Sequence, residues 1–221
     1  MSEPEPPTGS GPANHYELFA GLCDAGVAFL VTGATALTLH GVPRLTPDID
    51  LAVDADLANI KRLERLLAAW GYTEPTPPAA SIRGVVVRRF RHPQSALDAI
   101  DVVPVSADAF ARLQSGAAVT TLVDVGIPVV GVADLQAIKE GSGGASDRED
   151  VNGLAVLLSI HAGEAGSEAD TRREQIRKFS RWSIAARLDW LLATARLARG
   201  LSPEARPMTR GLIRRRGWYK R

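Results

Sequence analysis

Two aspartates one residue apart, Asp48 and Asp50, stand in the segment DIDLAV, where polar and apolar residues alternate as in a strand with one solvent-facing end. On a strand, residues i and i+2 point to the same face, which sets these carboxylates about 7 Å apart along the chain. Two unpaired acids side by side repel each other. A hard cation such as Mg²⁺ relieves that repulsion and shares its oxygen shell with phosphates. The alternative is a solvated turn. An EF-hand is disfavoured, because the loop glycine is missing and Leu51-Ala52-Val53 is apolar. Asp54 and Asp56 read as a strand end and a helix cap. Upstream, the apolar stretch Val27 to Thr32 runs as a buried strand into Gly33, and a helix follows from Ala34 to His40. A strand–glycine–helix turn presents backbone N–H groups and the positive end of a helix dipole to a phosphate. Gly33 and Ala34 are therefore candidate nucleotide contacts beside a candidate metal pair. Arg44, between turn and strand, is either a phosphate contact or a loop salt bridge.

These residues need elements to hold them. The pattern predicts a short helix from Asn14 to Gly26, the strand and helix just described, and the acidic strand. A helix over Leu57 to Trp70 follows, and then a hairpin of Ile82 to Arg91 with Ala96 to Val103. Further on come a helix from Ser106 to Leu113, short strands at Val119 to Val123 and Ile127 to Val130, and a helix over Asp134 to Glu140. The GSGGAS stretch reads as a flexible loop before a helix from Asp147 to Ile160, and one long helix is expected from about Glu168 to Arg199. The fold class is α/β (α+β), a mixed sheet flanked by helices. Residues 1–13 read as a disordered tail, 14–165 as the core and 166–221 as a basic helical C-terminal region.

Composition bounds the function. The 221 residues carry one cysteine, Cys23, which excludes a disulfide framework and a cysteine-based zinc site. No P-loop and no G-x-S-x-G occurs, so Walker-type ATPase and serine hydrolase chemistry find no support. No apolar run approaches the roughly 20 residues of a membrane span, and the acidic, Pro-rich N-terminus is unlike a signal peptide. A cytoplasmic protein with no membrane partner is expected. The net charge of +1 conceals an asymmetry: residues 172–221 hold 15 Lys+Arg against 3 Asp+Glu, a local net of +12. That excess suits a polyanion. Arg173, Arg177 and Arg181 step by four along a predicted helix, Arg214, Arg215 and Arg216 follow, and Trp218 and Tyr219 lie near Lys220 and Arg221. Arginines among aromatics suit RNA, with a solvated helix face or a surface for an acidic partner as alternatives.

The glycine turn, thirteen intervening residues and Asp48-Ile49-Asp50 resemble the signature of the DNA polymerase β-like nucleotidyltransferase superfamily. The wider block LVTGATALTLHGVPRLTPDIDL is most similar to its AbiEii/MenT-type branch, which includes toxins of bacterial toxin–antitoxin pairs. The resemblance covers roughly residues 15–160. It implies two Mg²⁺ ions, an NTP substrate and a third carboxylate on a neighbouring strand. Asp98 and Asp101 are the candidates; three residues apart, they face opposite ways, and Asp101, followed by Val102-Val103, is favoured. The resemblance further implies that Lys139 binds the triphosphate and that Asp147 and Asp150 belong to a D-x-x-D helix start, although Lys139 also reads as a solvated lysine and Asp147 as an N-cap. The branch's acceptor is the 3′ end of tRNA, and a cognate antitoxin protein is the implied partner. AMP transfer to a protein hydroxyl or to a small antibiotic, the latter disfavoured by the basic tail, and a catalytically silent binding module are the other readings. Two departures stand out: Ala34 replaces the family's Ser or Gly, and Ser146 stands where relatives carry a basic residue.

Overall fold

The computed structural model describes residues 9–75, 80–82, 85–164 and 171–199. Among them, eight helices surround a seven-stranded mixed sheet of order β3-β4-β5-β2-β1-β7-β6. The sheet's centre is made by β1 (Phe29–Val31), β2 (Asp48–Asp54) and β5 (Ala99–Val105). β2 runs parallel to β5 and antiparallel to β1. β4 (Val85–Arg91) pairs antiparallel with β5, and β3 (Ala80–Ile82) continues that edge. On the other side, β7 (Val125–Val129) lies parallel to β1 and closes a tight hairpin with β6 (Ala118–Leu122). The parallel β2–β5 pair needs a crossover, and α3 (Leu57–Ala69) lies on that path.

The apolar periodicities explain the helices. In α1 (His15–Asp24), Leu18, Phe19 and Leu22 are fully buried, and the Asn14 side chain accepts from the Glu17 N–H as N-cap. In α3, Leu63 and Leu67 are buried one turn apart, and Asp56 caps the first turn through the N–H groups of Ala58 and Asn59. Asn59 is buried in turn, accepting from the Ala28 N–H and donating to the carbonyls of Ala28 and Asp54, which ties α3 to the end of the β1–β2 pair where β1 begins and β2 finishes. α2 (Gly33–His40) is buried along nearly its whole length and ends at Gly41 in the left-handed region. α4 (Ala107–Ser115), α5 (Val132–Ser142), α6 (Ala145–His161), α7 (Thr171–Ser180) and α8 (Ile184–Arg199) complete the chain. One continuous core joins Leu30, Leu51, Ile100 and Ile127 of the sheet to Leu37, Leu154, Ile176 and Leu188 of the helices.

Four sequence expectations need correction. Residues 9–13 do not trail free: the Gly9 carbonyl meets His92 Nε2 at 2.8 Å, and the Pro12 carbonyl accepts from the Ser95 hydroxyl at 3.1 Å. The first strand is three residues long rather than six. The expected GSGGAS loop shrinks to Gly143-Gly144, because α5 runs on to Ser142 and α6 begins at Ala145. The single long C-terminal helix is two. The chain turns at residues 181–183, where Phe179 is fully buried and packs its ring against both Trp182 and Trp190, at 5.2 and 5.0 Å between centroids. Those aromatics brace the break between α7 and α8, after which α8 packs against α2, and a periodicity that steps by three or four cannot reveal such a change of direction.

Candidate active site

β2 and β5 set three carboxylates on one face of the sheet. Asp50 stands directly beside Asp101 in the parallel register, and Asp48 lies two residues before Asp50 on the same face. Asp98 precedes β5 and has no place in this row. Asp101 is 5% exposed, so its charge must be met inside the protein. The partner comes from β4: Arg89 sits opposite Asp101 in the antiparallel register and grips it with two hydrogen bonds, Nε to Oδ1 at 2.6 Å and Nη2 to Oδ2. The same guanidinium reaches Asp48 Oδ2 at 3.5 Å.

Asp50 is held against the glycine turn. Gly33 adopts φ +59°, and a Cβ placed there would come within 2.1 Å of Asp50 Oδ2. Only glycine satisfies both the backbone conformation and the approach. The Ala34 N–H, in the first turn of α2, faces the Asp50 carboxylate and favours its charged form. Burial pushes the Asp50 carboxyl up to about 7, with the neighbouring Asp101 charge adding to the shift and Lys139 and the Ala34 N–H opposing it. Asp48 is also raised, chiefly by burial, with Arg89 working against that. Replacing Gly33 with alanine is expected to destabilise the fold by about 2 kcal/mol from backbone strain and displacement of Asp50. A lowered urea midpoint checks this, and an unchanged midpoint contradicts it.

A second charged cluster closes the site from the α5–α6 side. Asp150 is 1% exposed and lies between two cations: Arg44 Nε donates to Oδ1 at 2.7 Å, and Lys139 Nζ stands 3.0 Å from Oδ2. Lys139 also reaches Asp147 Oδ1 at 3.2 Å. Asp147 serves twice, since its Oδ2 accepts from the Gly144 N–H and completes the cap of α6. Arg44 is thus in a salt bridge, one of its two expected roles. Asp150, expected to face a nucleotide, instead lies beneath Lys139 and Arg44 and fixes where they stand.

The basic C-terminal region is less free than its charge suggests. Arg173 does not lie on an outer face with Arg177. It is buried, and its guanidinium donates to the Ser159 hydroxyl and the Glu164 carbonyl at the end of α6. Arg177 pairs with Glu174 at 2.9 Å, and Arg181 is exposed at the turn. Arg187 is buried too and donates to the carbonyls of Leu39 and Ser180, pinning α8 to the end of α2. Two arginines counted as surface charge therefore cap helix ends. Arg214, Arg215 and Arg216 lie outside the described residues.

Among the described residues, no three acidic, histidine or cysteine side chains form a ready-made metal cage. The donor set nonetheless suits a hard cation: three carboxylates share one face, and Arg89 already places positive charge against two of them. Sequence reasoning missed Arg89. Its signal was the VVVRRFR strand predicted to pair with the strand of Asp101.

No protein-family model matches the sequence, and no curated protein matches it. Several solved structures are similar in shape. One is the lincosamide antibiotic adenylyltransferase LnuA with lincomycin bound, at 15% identity and TM-score 0.48, covering 64% of this chain and 94% of that one. Another is a nucleotidyltransferase-like structure from Thermotoga maritima, TM1012, at 16% and 0.46, covering 66% and 90%. A third is ANT(2")-Ia in complex with adenylyl-2"-tobramycin, at 13% and 0.46, covering 73% and 94%.

Proposed function

We propose that the protein is a Mg²⁺-dependent nucleotidyltransferase that moves NMP from an NTP to an RNA acceptor, with the 3′ end of tRNA as the first candidate. The observation that carries this reading is the position of Asp50. It touches the glycine turn that opens α2, stands beside Asp101 and lies within the field of Lys139. One carboxylate thereby links a phosphate-binding turn, an acidic row and a cationic side chain.

In this reading Asp48, Asp50 and Asp101 would hold the divalent ions, which supply charge neutralisation for the triphosphate and the leaving pyrophosphate. The Gly33 turn offers backbone N–H groups to the phosphates, and Lys139, steadied by Asp147 and Asp150, offers a positioned cation. The acceptor hydroxyl oxygen attacks the α-phosphorus while the α–β P–O bond breaks and pyrophosphate leaves. The hydroxyl proton passes to Asp101, the deepest of the three acids. Ala34 supplies no hydroxyl, so the phosphate contact at the turn is made by backbone alone. The basic excess of residues 172–221, even without the buried Arg173 and Arg187, favours RNA over a small neutral acceptor. The resemblance to MenT-type toxins makes arrest of translation the consequence, with an antitoxin protein as its control.

The test is incubation of the full chain with tRNA, Mg²⁺ and each α-labelled NTP in turn. Label on the RNA is expected with at least one nucleotide, and none is expected with Asp48→Ala. Label on RNA that survives Asp48→Ala removes the assignment. Label migrating with protein moves the acceptor to a protein hydroxyl.

A further inference from the structure

Arg89 is the one cation in contact with two acids of the row, Asp48 and Asp101, among the described residues. Its hold on Asp101 is two-pronged and directly cross-strand, and the Asp101 side chain is 7% exposed whereas Arg89 is 39% exposed. The arginine can swing outward from its strand, while the acid cannot follow. A guanidinium and a divalent cation cannot occupy the same carboxylate oxygens at contact distance, because both need those lone pairs and they repel each other.

From this geometry we infer that Arg89 is a built-in counter-ion that occupies the metal position between Asp48 and Asp101 and must be displaced before a divalent ion enters. The inference rests on the reading of the acidic row as a metal site and adds the control of its loading. A free divalent ion gains the acids but must expel Arg89 into water with no new partner. A metal–triphosphate complex brings its own anion. Arg89, released at the mouth of the site, then exchanges a carboxylate for phosphate oxygens, which suit its fork equally well. The metal is therefore admitted together with the nucleotide and poorly without it.

The experiment is Mn²⁺ binding by electron paramagnetic resonance on the full chain, for the native protein and for Arg89→Gln and Arg89→Lys, each with and without a non-hydrolysable NTP analogue. The native protein is expected to bind Mn²⁺ weakly alone and at least 10-fold tighter with the analogue. Arg89→Gln is expected to bind Mn²⁺ alone at least 10-fold tighter than the native protein, with Arg89→Lys between them. Thermal melting gives a second readout if Arg89→Gln folds poorly: Mn²⁺ should raise its melting temperature and leave the native protein's nearly unchanged. Native protein that binds Mn²⁺ with the analogue, beside an Arg89→Gln that binds free Mn²⁺ no tighter than native, overturns the counter-ion and leaves the metal site standing. Failure of native and variant alike to bind Mn²⁺ in any condition overturns both.

Discussion

Asp50→Asn is expected to yield a protein that melts at a higher temperature than the native one at pH 8 and transfers no nucleotide. The reason lies in the price of ionising a carboxyl pressed against Gly33 and beside Asp101, which holds it near 7. In the unfolded chain that carboxyl ionises near its ordinary value of 3.8. Between these values the folded state binds the extra proton. The stability this proton lends is fully present below about pH 4 and is lost as pH rises through about 7. By pH 8 the ionised carboxylate costs the fold on the order of 2–4 kcal/mol, and asparagine removes that cost while keeping the acceptor for the Ala34 N–H. The gain should shrink toward nothing near pH 4. Loss of transfer by a thousandfold or more, roughly 4 kcal/mol of transition-state stabilisation, accompanies it. A variant that is less stable than native at pH 8 would show that Asp50 is a structural residue and not a site acid.

The second large effect is expected at Asp150. It is buried and in contact with both Arg44 and Lys139, so Asp150→Ala removes the buried carboxylate that both cations share, leaving Lys139 with Asp147 alone. Removing one side of a buried ion cluster costs about 3–5 kcal/mol, far more than deleting a surface pair. Asp150→Asn, which can still accept from Arg44, should lose roughly half as much. Urea denaturation measures both. Calorimetry of Mg²⁺–NTP binding to Asp150→Asn then separates positioning from folding: a fold that survives with weakened nucleotide affinity supports a positioning role. Equal affinity would leave Asp150 with a structural role only.

The half of the site carried by local sequence was readable, and the half carried by register was not. Gly33 and the Asp48–Asp50 pair could be seen because a turn needing φ +59° and a period of two are written into consecutive residues. The same parity allowed only one of Asp98 and Asp101 to join the pair, and the apolar Val102-Val103 that follows, read through the family resemblance, favoured Asp101. Arg89 could not be placed, because which β4 residue faces Asp101 depends on how two strands slide past each other, and one step would have turned it to the other face. Arg173 was misplaced for a related reason. Its spacing from Arg177 and Arg181 suggested one exposed stripe, but α7 ends at Ser180 and packs against α6, which draws Arg173 inward. Asp150 was marked by its spacing from Asp147, but its burial beneath two cations is a product of tertiary packing. The α/β class, the mixed sheet and most of the helices followed from periodicity and caps, and the errors fell at residues 9–13, the ends of β1, the Gly143-Gly144 turn and the break between α7 and α8.

The most direct measurement is calorimetric titration of the full chain with an NTP analogue, with and without Mg²⁺, beside the same titration of Asp48→Ala. The Asp48 side chain is 27% exposed and makes only the longer contact with Arg89, so its removal disturbs the row less than loss of the buried Asp101 would. The expected result is nucleotide affinity that rises at least 10-fold with Mg²⁺ in the native protein and shows no such rise in Asp48→Ala. The same Mg²⁺-dependent gain in both proteins would contradict a divalent ion held by these strands.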